Sequence, residues 1–136
     1  MILQNVNYIA VIIAALVPMI MGMFWYGPLF GSVWLKLAGF TKKDMENGKD
    51  MMYFSYAVSL VGSLVSAYVL AQIFALTDTL TIQEALGTGF LVWLGFIATT
   101  KLNDVLWGKK SWALFALDIG YHLATIIVMS LVIIYL

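Results

Sequence analysis

The chain has 136 residues, 63% of them hydrophobic and only 10% charged, with a mean hydropathy of +0.99. A soluble domain carries roughly a quarter charged residues, so this chain has too few polar groups to face water all round. Lysines and acidic residues balance at seven each while arginine and cysteine are absent, which excludes a basic nucleic-acid surface, a disulfide framework and a thiolate metal site.

A bilayer core of about 30 Å takes about 20 helical residues, and four apolar segments meet that length. The first covers residues 5–27 and has no charge from Val6 to Tyr26. No lysine or arginine precedes it and it is too long for the apolar part of a signal peptide, so it reads as a mature helix. Ala10, Ala14, Pro18 and Gly22 recur along it at steps of four, with Pro18 a kink. It ends in "FWYGPLFG", residues 24–31. Trp25 and Tyr26 suit headgroup depth as interface anchors, and Gly27 and Pro28 stop the helix.

Residues 28–50 then read as a short interfacial helix and a polar loop. Leu29, Phe30, Val33, Trp34 and Leu37 fall on one side, with Ser32 and Lys36 elsewhere, the pattern of a helix lying in the membrane plane with Trp34 as a further anchor. In "TKKDMENGKD", Thr41 and Asp44 form a capping signal and Gly48 a stop.

The second segment, residues 51–76, is uncharged. Ser55, Ser59, Ser63, Ala67 and Ala71 form a small-residue stripe with Gly62 and Ser66 beside it, the kind of surface on which membrane helices pack. It suits either the first helix or a second copy of the chain. The third segment, 82–106, carries Glu84 near its start and Thr99, Thr100, Lys101, Asn103 and Asp104 near its end. Lys101 is within pairing reach of Asp104.

The fourth segment, 111–136, is flanked by Trp107 and Trp112 as anchors. It holds Asp118, Tyr121, His122 and Thr125 on one face at i, i+3, i+4 and i+7. Counted from Ser111, Asp118 lies about 10 Å deep and His122 about 16 Å. A charged Asp at such depth costs about 2.5–3.5 kcal/mol or more, so the pair is expected to face protein. An antiparallel hairpin of the third and fourth helices brings Asp118 level with Ile97 and Ala98, which makes Thr100 its expected partner, and His122 level with Trp93. The cluster is either a polar clamp between those helices or a proton relay.

The fold class is therefore all-α: a single membrane domain of four transmembrane helices. Lys36, Lys42, Lys43 and Lys49 lie in the first connection and Lys101, Lys109 and Lys110 at the third. Lysines are retained in the cytoplasm, which places both termini on the far side of the cytoplasmic membrane. One histidine and scattered carboxylates do not make a metal site, no cofactor is expected, and neither a nucleophile with its base nor a phosphate loop can be assembled. These features point to a non-enzymatic, self-associating bundle or an accessory subunit of a membrane complex, with the lipid bilayer and further copies as partners. The alternative is a small oligomeric proton-linked transporter or channel using Asp118 and His122.

The blocks "NYIAVIIAAL", "WYGPLFG" with Trp34, "GFTKKDM", "GFLVWLGFIATTKLNDVLW" and "LDIGYHLATIIVM" resemble a small bacterial membrane family catalogued as domain of unknown function seventeen sixty-one. The resemblance covers nearly the whole chain and is most specific in "ATTKLNDVLWGKKSW" followed by "IGYHL". It implies four membrane helices and no assigned activity, and it draws attention to Asn103, Tyr121 and His122. Small four-helix multidrug exporters are comparable in size but carry a Glu in the first helix, where this chain is uncharged.

Overall fold

A computed structural model describes residues 3–41, 43–44 and 48–136. Of the lysines used for topology, Lys42 and the side chain of Lys49 lie outside the described residues, as does much of the polar loop. Among the described residues the protein is all-α. Four stretches are long and apolar enough to cross a membrane: Tyr8–Leu29, Met51–Leu76, Ile82–Leu106 and Trp112–Tyr135.

Helix α1 spans Tyr8–Phe24 and starts where the Asn7 side chain accepts from the Ile9 and Ala10 amides, filling two of the amide positions a helix start leaves open. The same Asn7 donates through Nδ2 to the Leu136 carbonyl at 2.8 Å, so both chain ends lie at one end of the bundle. Gln72, 5% exposed, closes that end: its Oε1 accepts from the Gln4 amide and its Nε2 donates to the Gln4 carbonyl, each at 2.8 Å.

At the far end of α1 the chain widens into a π-helical turn over Trp25–Leu29, within which Gly27 leaves helical geometry at φ −109°, ψ −107°. Helix α2, Gly31–Ala38, follows and stops at Gly39 in the left-handed region, φ 78°. Gly31 is required by space rather than by φ, because a Cβ there would sit 2.7 Å from the Tyr26 carbonyl oxygen. In the polar loop the Thr41 amide donates to Asp44 Oδ2 at 2.9 Å and the Asp44 amide donates to Thr41 Oγ1 at 3.2 Å. The first of these bonds holds the Asp44 carboxyl below its usual range.

Helix α3, Lys49–Leu76, packs mainly on α1. Among the described residues only Ser63, Ala67, Leu70, Ala71, Gln72 and Phe74 are buried along it. The small-residue stripe therefore divides. Its terminal-side half joins Ala10, Ala14 and Ala15 of α1 in the core, whereas Ser55, Ser59 and Gly62 are exposed.

Helix α4, Ile82–Val92, begins with a reciprocal cap between Thr81 and Glu84. A second π-helical turn, Trp93–Ala98, leads into α5, Thr99–Leu106. Helix α6, Trp112–Tyr135, is capped by Ser111 and runs between α1 and α4. The buried core comprises Val11, Ala14, Ala15, Ala67, Leu70, Phe74, Ala85, Ile126 and Met129, among others. All of these belong to the half of the bundle nearer the termini. Toward the lysine end only Gly31 and Leu114 are buried among the described residues, and α3 touches α6 little. The bundle is closed at one end and open at the other.

Candidate functional site

The site forms where the aromatic corner meets α6. Tyr26 donates its hydroxyl to Asp118 Oδ1 at 2.7 Å, a short bond of the kind a carboxylate accepts. One helical turn deeper, Tyr121 donates to the Pro18 carbonyl at 2.6 Å, inside α1. The phenol packs over Gly22, where a Cβ would lie at an ordinary contact distance of 3.5 Å. Trp25 donates through its indole N–H to the Leu117 carbonyl at 3.2 Å, and its ring covers Gly120, where a Cβ would stand 3.2 Å away. From the other side of α6, Trp93 donates to the Ile119 carbonyl at 2.8 Å.

Two hollows open beside this latch. The larger, about 1140 Å³, reaches the lysine end. Its walls include Gly22, Tyr26, Trp34, Ser59, Asp118 and His122, with Lys101, Lys109 and Lys110 at the mouth. The smaller, about 640 Å³, runs deeper between α3 and α6 past Gly62, Ser66, Val69, Ile97, Thr125 and Met129. Pro18, Ser59, Ser63, Tyr121 and His122 line both, so the two form one cleft. His122 makes no hydrogen bond among the described residues and packs its ring 5.0 Å from Tyr121. Thr125 Oγ1 is buried without a hydrogen-bond partner.

The family described as "Protein of unknown function (DUF1761)" matches residues 9–134. The chain belongs to this family. No curated protein and no solved structure is similar enough to be matched. The family description names no activity, so the chemistry of this DUF1761 protein has to be argued from its own residues.

In this DUF1761 protein the expected polar cluster separates into parts. Asp118, Tyr121, His122 and Thr125 do share a face, but the partner of Asp118 is Tyr26 on the first helix instead of Thr100 on the third. Thr100 and Thr99 bond back within their own helix, to the Phe96 and Gly95 carbonyls at 2.8 and 2.6 Å, a common outlet for hydroxyls in membrane helices. Asn103 is exposed and makes no side-chain hydrogen bond among the described residues. Asp104 pairs with Lys101 at 3.8 Å and also with Lys110 at 3.7 Å.

The anchors divide as well. Trp107 and Trp112 are 84% and 61% exposed, whereas Trp25, Tyr26 and Trp34 are half-buried and turned into the fold. Tyr26 meets Trp34 edge-on at 5.6 Å and Trp34 stacks on Phe40 at 5.5 Å. An amphipathic ring has a polar tip that a headgroup, a carbonyl or a carboxylate satisfies equally well, so composition alone does not choose among them. Tyr26 was expected as an interface anchor and Trp93 only as a residue level with His122, because the acceptors they reach, Asp118 and the Ile119 carbonyl, lie in another helix.

Proposed function

We propose that the protein is a non-enzymatic component of the cytoplasmic membrane that works by binding, with both termini facing away from the cytoplasm and the cleft opening at the lysine end. The observation that carries this reading is the asymmetry of the bundle. Helices pack tightly near the termini, yet α3 stands off from α6 toward the lysines and leaves a cleft at and above the size usual for ligand sites, about 300–1,000 Å³. Its outer part is lined by polar and charged groups, Lys101, Lys110, Asp118 and His122 among them, and its deeper part is mostly apolar with a few hydroxyls and His122, as binding sites are.

Gly62 provides the test, since a Cβ there meets nothing within 4 Å and a larger side chain fills the cleft without straining α3. Native mass spectrometry of protein extracted in neutral detergent is expected to show a bound small molecule that Gly62→Leu loses while its helical circular dichroism stays unchanged. A wild-type protein that carries no adduct, or a Gly62→Leu protein that keeps it, rules the reading out. Orientation has its own test. Cysteines replacing Lys43 and Lys109 are expected to react with impermeant maleimide only from the cytoplasmic side, and one replacing Asp78 only from the outside.

A second reading, the proton-linked transporter or channel, is favoured by one observation: Asp118 and His122 line the same cleft. A pH-driven flux in proteoliposomes that His122→Ala and Asp118→Asn both abolish would establish it.

A further inference from the structure

We infer that the guest of this cleft is an anionic single-chain amphiphile, a carboxylate or phosphate head on one alkyl chain. The inference rests on the binding reading above. The mouth of the cleft is basic: Lys101, Lys109 and Lys110 border it. Asp104 is shared by Lys101 and Lys110, at 3.8 and 3.7 Å, and Lys109 has no acidic partner among the described residues.

The turn that carries Lys109 is built at some cost. Lys109 sits at φ 59°, the left-handed region that disfavours a non-glycine residue. The neighbouring Gly108 does not take that position, because it is held where a Cβ would stand 2.7 Å from the Asp104 carbonyl oxygen. Lys109 is exposed there and lines the cleft. Helix α6 starts here as well and has no acidic residue in its first turn, so its positive N-terminal end adds to the lysines without being offset.

Further in, the chemistry changes. From Ser111 at the mouth to Thr125 in the deeper hollow is about 21 Å along α6. One leaflet of a bilayer core is about 15 Å deep, so this length holds one acyl chain with its head among the lysines. The deeper wall is largely apolar: α3 lines it with Val65, Val69 and Ile73 as well as with the small Ser59, Gly62 and Ser66. Asp118 is the carboxylate of the inner wall, and the Tyr26 hydroxyl occupies one of its oxygens. An anionic head therefore belongs at the lysines and the chain beyond it, whereas a cationic amphiphile would meet three ammonium groups on entry.

The experiment uses full-length protein in neutral maltoside micelles with three probes: oleate, oleyl alcohol and inorganic phosphate. Thermal unfolding is expected to shift upward with oleate, oleyl alcohol is expected to bind about tenfold more weakly or worse, and phosphate alone is expected to produce no shift. Lys109→Gln is expected to weaken oleate about fivefold or more with the unfolding temperature of the free protein unchanged, and Lys109→Arg to restore it. Equal binding of oleate and oleyl alcohol overturns the anionic head. Phosphate acting as well as oleate points to a free anion and overturns the amphiphile. If no probe binds but the native adduct persists on wild type and disappears from Gly62→Leu, the inference fails and the binding reading stands. If the adduct is absent as well, both fail.

Discussion

Gly89→Leu is expected to destabilise the protein by about 3 kcal/mol, at the upper end of what overpacking costs, read as the unfolding free energy in an SDS titration of mixed micelles. Gly89 is buried in α4 against α6, and a Cβ there would stand 2.6 Å from Ser130 Oγ, 3.7 Å from Ser130 Cβ and 3.9 Å from the Ile126 carbonyl oxygen. Ser130 is fully buried, and its hydroxyl donates to that same carbonyl at 2.7 Å. A leucine cannot be taken in here without moving one helix off the other, and contact between small residues is the main attraction that membrane helices have. The geometry also predicts a rescue. Gly89→Ala collides with the hydroxyl oxygen alone, so it is expected to cost about 1–2 kcal/mol, and Ser130→Ala in the same chain is expected to recover most of that loss because the nearest remaining atom is at ordinary contact distance. A double variant as unstable as Gly89→Ala alone would show that the hydroxyl is not what fills the space.

Asp118→Leu is expected to lower stability by about 0.6–2 kcal/mol, the range measured for hydrogen bonds between membrane helices, whereas Asp118→Asn keeps an acceptor for Tyr26 and is expected to cost little. The identity of the partner is the sharper question. In a double-mutant cycle with Tyr26→Phe, Asp118→Leu is expected to show a coupling of about 1 kcal/mol, since each single change removes the same bond. With Thr100→Ala the two losses are expected to add, because Thr100 bonds the Phe96 carbonyl in its own helix. Coupling to Thr100 and none to Tyr26 would return the clamp to the third and fourth helices. The consequence extends beyond stability, since the Tyr26 bond ties the aromatic corner to the wall of the cleft.

The membrane-spanning stretches could be read from the chain alone because lipid burial depends on local quantities, apolar length and absence of charge. The structure's first helix begins at Tyr8 and its last ends at Tyr135, within three residues of the expected limits, and the differences lie at caps where Asn7 and the final carbonyls are used. The corner was legible for the same local reason, although the helical run widens there and reaches Leu29: Gly27 leaves helical geometry and Pro28 lacks an amide for the ladder. The shared face of Asp118, Tyr121, His122 and Thr125 follows from helical spacing and needs no neighbour.

What meets that face was a tertiary decision. Residues 26 and 118 are 92 positions apart, and no local pattern relates them. The hairpin argument favoured the third helix because it is next in sequence, but α6 has neighbours on two sides and the Tyr26 phenol is the donor that reaches. The stripe on α3 posed the same problem. Sequence periodicity aligns Ser55 with Ala71, and only the divergence of α3 from α6 decides that Ala67 and Ala71 are core while Ser59 and Gly62 line a cleft. The sequence by itself determined the solvent, the spans and the faces, since each follows from the free energy of a short stretch in water or lipid. Tertiary structure decided partners and empty space, because these depend on the tilt and separation of whole helices that in lipid are held by few contacts.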